Sequence, residues 1–329
     1  MHESATGGES KTLLIAGASG VIGRHVRRRA TALGWSVRAL TVSASSKTDE
    51  NNIQWIGWEP HLAATGESDA VSSIADALNG CQAMINLAGS AIDAGRLGAR
   101  HCQEVLTSRV QAGEALAAGL RGATAPPAVW IQASGVGFYG ERGECDVTES
   151  DPLGAGLQLP EICRQWEAAG ADCGVPIRRI VTRFGLVMAS DARAFQKMMQ
   201  PIRMGVGGRL GSGKQWHPWI SGHDLARALF HLIEDQSAAG VFNLTAPEPI
   251  RQLEMTRLLA KAVNRPSFFP APAFVLKAVL GGVASELLLP SCRARPTRLQ
   301  ASGFEFEYPR FEDFVGDLVG NDRDSARRD

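Results

Sequence analysis

The run Gly17-Ala18-Ser19-Gly20-Val21-Ile22-Gly23 follows the apolar stretch Thr12 to Ala16 directly and opens a segment of helical period. A strand, a glycine turn and a helix in that order make a place for a diphosphate: backbone N–H groups unhindered by side chains, at the positive end of a helix dipole. Gly17 is expected to permit the turn, Gly20 the close approach and Gly23 the packing of helix on strand, with Ser19, Val21 and Ile22 in the same cradle. The ligand that fits is a dinucleotide.

The second strand bears on which dinucleotide. An NAD site ends that strand with Asp or Glu on the ribose hydroxyls, ~20 residues after the glycines. Val37 to Ser43 contains no carboxylate, and Asp49 and Glu50 lie too far along. Arg24, Lys47 and the hydroxyls of Ser43, Ser45 and Ser46 could instead meet a 2′-phosphate, so NADP(H) is the expected cofactor. The bland alternative for Arg24 is a solvated helix charge, like its neighbours Arg27, Arg28 and Arg29.

Outward from the glycine turn, short apolar runs alternate with helical segments, the pattern of a parallel sheet wound by crossover helices. Strands are expected at Thr12 to Ala16, Ser36 to Val42, Ile53 to Ile56, Ala83 to Leu87, Val129 to Ala133 and Ile177 to Thr182. The fold class is α/β, a Rossmann-type doubly wound parallel sheet with a smaller C-terminal α/β lobe. The expected division is a loose tail over 1–10, the dinucleotide-binding domain over 11–187, a substrate-cleft and C-terminal module over 188–318, and a charged tail over 319–329. In the second lobe the pattern gives helices at Ala194 to Met204 and Asp224 to Glu234 and a strand at Val241 to Leu244. Ala271 to Leu289 reads as buried helix, since Lys277, Ser285 and Glu286 interrupt it as a membrane span. Gly208 to Lys214 spells the start of a nucleoside-triphosphate loop, but Gln215 stands where Ser or Thr would hold magnesium and no strand precedes it.

Composition excludes several classes. The 329 residues are 44% hydrophobic and 21% charged, with 34 basic against 34 acidic side chains, so no global field favours nucleic acid or an anionic membrane. The six cysteines show no metal-ligand or staple spacing, and the polar first ten residues lack a signal-peptide core. A cytoplasmic protein with reduced thiols, no metal, no membrane or nucleic-acid partner, a small-molecule substrate and room for a homodimer is the expectation.

With Asn86-Leu87-Ala88-Gly89 and Ser134-Gly135-Val136-Gly137-Phe138-Tyr139-Gly140, the glycine turn resembles the extended short-chain dehydrogenase/reductase family, whose longer G-x-x-G-x-x-G spacing it shares. More narrowly the chain resembles the atypical, YfcH-like epimerase branch, some of whose members carry a cell-division-inhibitor label. Thr107-Ser108-Arg109-Val110, Cys163-Arg164-Gln165-Trp166-Glu167, Arg183-Phe184-Gly185, Gly211-Ser212-Gly213-Lys214-Gln215, His223-Asp224 and Gly303-Phe304-Glu305-Phe306 fit that branch. The resemblance implies that Asn86, Ala88, Gly89 and Arg109 line the cofactor, and that Ser134 and Tyr139 face nicotinamide and substrate as the catalytic pair. Asn86 is equally able to tie two strands together through its amide.

The reductase dyad Tyr-x-x-x-Lys is absent. The lysine of that pair lowers the phenol pKa so that tyrosine can exchange a proton with a carbonyl while hydride moves. Leu159 and Cys163 stand where the pair belongs, and Tyr139 and Tyr308 are the only tyrosines. Tyr139 with Ser134 ranks first as the proton-transfer group, ahead of Glu149, Glu161, Glu167, Cys163 and His217, each of which has a plainer structural reading. His217 also stands where nucleotide-sugar enzymes carry a diphosphate-clamping arginine. The substrate cleft is therefore expected to be more apolar, lined by Phe184, Met188, Gln215, His217 and Trp219, and its occupant a small carbonyl or hydroxyl compound. A non-catalytic cofactor-binding protein is the alternative.

Overall fold

A computed structural model describes residues 11–42, 47–48 and 53–325. Its main sheet contains β1 (Thr12–Ala16), β2 (Ser36–Thr41), β3 (Ile53–Gly57), β4 (Ala83–Asn86), β5 (Val129–Gly135), β6 (Arg178–Phe184) and β7 (Gly240–Leu244), all parallel, in the order β7-β6-β5-β4-β1-β2-β3. The short strand Lys47–Thr48 pairs antiparallel with the outer edge of β3. The order reverses beside β1, the crevice where open α/β sheets bind ligands.

The strands are apolar on both faces because both are covered. Leu13 and Ile15 pack with Val26 and Ala30 of α1 (Val21–Ala32) and with Leu225, Ala228 and Leu229 of a helix over Gly222–Glu234. Leu14 and Ala16 point the other way, to Ile74, Leu78 and, on α2 (Ala99–Gly122), Ala112, Leu116 and Leu120. This period of two, with a helix layer for each face, is the doubly wound arrangement.

All six strands expected before residue 187 form. The expected lobe boundary does not follow the sheet, however: the helix over Gly222–Glu234 and β7 return to the first core and complete it. A further core unites Met188, Phe195, Met199, Trp219, Leu259, Phe311 and Phe314. The segment read as buried helix is helical over Ala273–Leu280, yet Phe274 and Val279 are exposed there, because that helix lies on the surface of the smaller lobe. The last helix runs over Phe311–Ser325, into the stretch expected to be a tail from 319. Among the described residues no helix is long and apolar enough to cross a membrane, and no His, Cys, Asp or Glu group has a metal-site arrangement.

Candidate functional site

At the glycine turn the three glycines are bare for different reasons. Gly17 has φ +83°, and a Cβ there would lie 2.7 Å from the carbonyl of Leu87. At Gly23 a Cβ would lie 2.6 Å from the carbonyl oxygen of Ala18. Both are needed by the protein itself. Gly20 is different: its backbone is ordinary at φ −67°, and an added Cβ would meet only the Gly17 oxygen at 3.4 Å. Gly20 begins α1 with no side-chain cap and no acidic residue in the first turn, and Ser19 and Gly20 are exposed while Val21 and Ile22 are half-buried. The helix thus presents uncapped N–H donors beneath open space, which fits a diphosphate.

The expected 2′-phosphate ligands fare less well. Arg24 Nε pairs with Asp191 Oδ2 at 3.0 Å and Nη1 donates to the Ser19 carbonyl, so this guanidinium ties α1 to the loop before the second lobe. A nearby carboxylate satisfies it without a ligand. Ser43, Ser45 and Ser46 lie outside the described residues, as does the side chain of Lys47. Asn86 is fully buried; its Nδ2 donates to Gln132 Oε1 at 3.0 Å and its Oδ1 accepts from the Ala88 N–H at 3.1 Å. It ties β4 to β5 and shapes the turn at Ala88. Gly89 is exposed, with φ +156°, and a Cβ there would lie 2.8 Å from Cγ of Arg109.

Ser134 and Tyr139, expected at the reacting atoms, are instead part of one buried polar chain. Ser134, Arg183 and Asn243 are register neighbours across β5, β6 and β7. Ser134 Oγ donates to Glu167 Oε1 at 2.7 Å, and Glu167, on α3 (Leu159–Ala168), receives Arg183 through both oxygens at 2.8 and 2.9 Å. Arg183 Nη1 donates to the Tyr139 hydroxyl at 2.9 Å, and that hydroxyl donates to Asn243 Oδ1 at 2.8 Å. Asn243 Nδ2 ends the chain on the Arg295 carbonyl.

Tyr139 has 0% exposure and Ser134 2%, so neither lines a solvent-filled cleft. Burial pushes the Tyr139 phenol up to about 12, against the opposing pull of Arg183, the wrong direction for a base at neutral pH. The expected catalytic assignment is corrected on this geometry: an arginine in a buried strand needs a bidentate carboxylate, and Glu167 with the two hydroxyls supplies the remaining contacts. Glu167 is therefore not the helix surface charge its sequence position suggests. Changing Tyr139 to Phe is expected to lower stability by about 1–2 kcal/mol, because Arg183 and Asn243 each lose a buried partner; chemical denaturation measures this, and cofactor titration is expected to show no change.

Most of the expected cleft-lining residues are also core. Met188 and Trp219 are fully buried, with Trp219 edge-on to Phe311 at 4.9 Å and its indole N–H on the Glu248 carbonyl. Phe184 packs in the first core. Gln215 Nε2 donates to the carbonyls of Leu210 and Leu288, and its Oε1 accepts from Ser212. Apolar side chains between two lobes need not face the space between them; these fill the interior instead. His223-Asp224 and the C-terminal phrase find a shared structural reason: buried Asp224 accepts the backbone N–H groups of Glu307 and Tyr308.

His217 is buried at 9% exposure and its Nε2 has no hydrogen-bond partner among the described residues. Burial pulls its pKa from 6.5 down to about 4, against a hydrogen bond to the Leu288 backbone. The unfolded chain therefore takes up this proton first. Stability is full above about 6.5 and is lost progressively as pH falls from there to about 4. Urea unfolding at about pH 7 and about pH 4.5 is expected to differ by about 2–3 kcal/mol from this group, a difference that His217→Gln removes.

Arg109, half-buried on α2, reaches across Gly89. Its Nη1 donates to the carbonyls of Ser90 at 2.8 Å and Val105 at 3.1 Å, and its guanidinium lies 4.6 Å from the ring centre of Trp166.

Against known proteins, residues 13–245 match the NAD dependent epimerase/dehydratase family and residues 271–318 match a domain of unknown function, DUF1731. The chain belongs to the NAD dependent epimerase/dehydratase family. It is 33% identical over 304 residues to the epimerase family protein SDR39U1 homolog, chloroplastic, of Arabidopsis thaliana, covering 92% of this chain and 85% of that one. With the human epimerase family protein SDR39U1 the identity is 31% over 309 residues, covering 93% and 99%. The crystal structure of human SDR39U1 isoform 2 with NADPH superposes with a TM-score of 0.82 at 30% identity, covering 94% of this chain and 99% of the human one.

Proposed function

We propose that this chain binds NADP(H) along residues 17–23 and acts as an oxidoreductase or epimerase of the atypical extended short-chain type on a small carbonyl or hydroxyl compound. The observation that carries the reading is Gly20, whose bareness answers no need of the protein's own packing. A diphosphate placed over it meets the uncapped start of α1. The human relative crystallised with NADPH supports the phosphorylated coenzyme. When bound, the coenzyme supplies or accepts hydride. The chain's own residues hold it by backbone amides, while the buried Ser134-to-Asn243 chain fixes β5, β6 and β7 beneath the site.

A second reading, coenzyme binding without turnover, is favoured by the full commitment of Ser134 and Tyr139 to internal partners. Titrating NADPH and NADH by fluorescence, then following coenzyme oxidation across a carbonyl library, separates the two. Turnover that persists in Tyr139→Phe supports an oxidoreductase in which Tyr139 is structural; tight binding with no oxidation by any compound supports the second reading. The cysteines, all free, fit a reducing compartment, and the cytoplasm is the proposed location.

A further inference from the structure

We propose that Arg109 is the substrate-anion site of this chain: its guanidinium stands beside Cys163, at the position where the reductase dyad has its lysine, and receives the carboxylate of a small carbonyl compound. The inference rests on the coenzyme reading, moves Arg109 from the cofactor lining that the resemblance implies to the substrate beyond it, and gives the substrate a chemical class.

The geometry is local and specific. Cys163 lies on α3 with its Sγ about a van der Waals contact from the Cβ positions of Gly135 and Gly137, at 4.0 and 3.7 Å, so it marks the carboxyl end of β5. Burial pushes this thiol up to about 11, with the Glu167 charge adding to the rise and Arg109 opposing it. It is therefore a neutral filler at neutral pH, and Arg109 is the cation of its surroundings. Trp166, three residues further along α3, supplies the face on which the guanidinium lies.

Arg109 differs from the arginines whose charge has an evident partner. Arg183, Arg24 and Arg227 are paired with Glu167, Asp191 and Asp224. Arg178 and Arg179 donate to carbonyls at helix C-terminal ends, where a cation is favoured by the dipole. Arg109 has no carboxylate within salt-bridge distance among the described residues, and its two hydrogen bonds both use Nη1. Its Nε and Nη2 make no hydrogen bond to a described residue and are not fully sealed from solvent. Burial pulls its pKa from 12.5 to about 10, against the opposing influence of Cys163. Two N–H groups in a fixed plane, with the third nitrogen anchored and one face stacked, match a carboxylate held side-on.

The coenzyme diphosphate already has its donors at the start of α1, over β1. Arg109 lies beyond it, past β4 toward β5, against Gly89 and Ser90 on one side and the Trp166 ring on the other. Gly89 lets the Arg109 side chain pack there, since a Cβ would strike it at 2.8 Å.

The test uses the full chain saturated with NADPH and probed with pyruvate and oxamate against hydroxyacetone at matched ionic strength, read by bound-coenzyme fluorescence and thermal shift. The parent is expected to respond saturably to the two carboxylates and not to hydroxyacetone. Arg109→Gln is expected to weaken the carboxylate response ~10-fold or more, with Arg109→Lys intermediate and NADPH affinity changed less than ~3-fold in both. That NADPH affinity also shows that the variants fold. An NADPH affinity that falls ~10-fold in Arg109→Gln would assign the cation to the coenzyme's phosphate and overturn the proposal. Equal responses of the parent to charged and uncharged compounds, or no response to either carboxylate, would overturn it too. Failure of the parent to bind NADPH at all would instead remove the coenzyme reading beneath it.

Discussion

Replacing Glu167 by Gln is expected to lower the unfolding free energy by about 3–5 kcal/mol, the range for removing one partner of a buried ion pair. The side chains of Arg183 and Glu167 are 5% and 13% exposed, so solvent screens the pair little. The loss follows from what remains: Arg183 stays in β6, desolvated, with Tyr139 and the ring of Phe138, 3.4 Å from its Cζ, for company. Ser134 loses its acceptor at the same time. Denaturant unfolding with circular dichroism measures the change. The double variant Glu167→Leu with Arg183→Met is expected to recover part of it, because an apolar pair leaves no buried charge. A single variant within ~0.5 kcal/mol of the parent would show that the chain of polar contacts is not structurally important.

Gly20→Val carries the other large effect, on binding instead of folding. Valine at this position has an allowed φ and little protein to strike, so the melting temperature is expected to stay near that of the parent. Its branched side chain stands between the α1 amides and a diphosphate, removing charge-assisted hydrogen bonds worth about 1.5–3 kcal/mol each. NADPH affinity is expected to fall by about 10³-fold, near 4 kcal/mol, in a calorimetric titration. Gly17→Ala gives the contrasting case, losing stability as well as affinity, because its positive φ and the Leu87 carbonyl both oppose a Cβ.

The sheet is legible in the sequence because its strands obey a simple rule: parallel strands covered on both faces read as unbroken apolar runs, and Leu13-Leu14-Ile15 or Met84-Ile85 can hardly be anything else. The glycine turn is legible for a similar reason, since backbone geometry requires the residue type directly. Side-chain roles are not. Ser134 and Tyr139 occupy the phrase that borders the cleft in proteins of this fold, but which way a side chain points depends on its neighbours across the sheet. The signal that places them is Arg183, a charge within an otherwise buried strand, which demands a carboxylate and leaves Glu167 as the one that α3 brings over it. Asn86 and Gln132, in register on β4 and β5, give a second polar rung of the same kind. Trp219 and Met188 belong to the core rather than the cleft, and the sequence does not separate the two: an apolar residue near a lobe junction looks the same whether it faces inward or toward a ligand.

Amide-resolved nuclear magnetic resonance of the full chain during NADPH titration reaches the central claim most directly. The largest saturable shifts are expected at the N–H groups of Ser19 to Gly23, with those of the Ser134-to-Asn243 chain small. Coenzyme binding that leaves those five amides unmoved while another surface responds would contradict it.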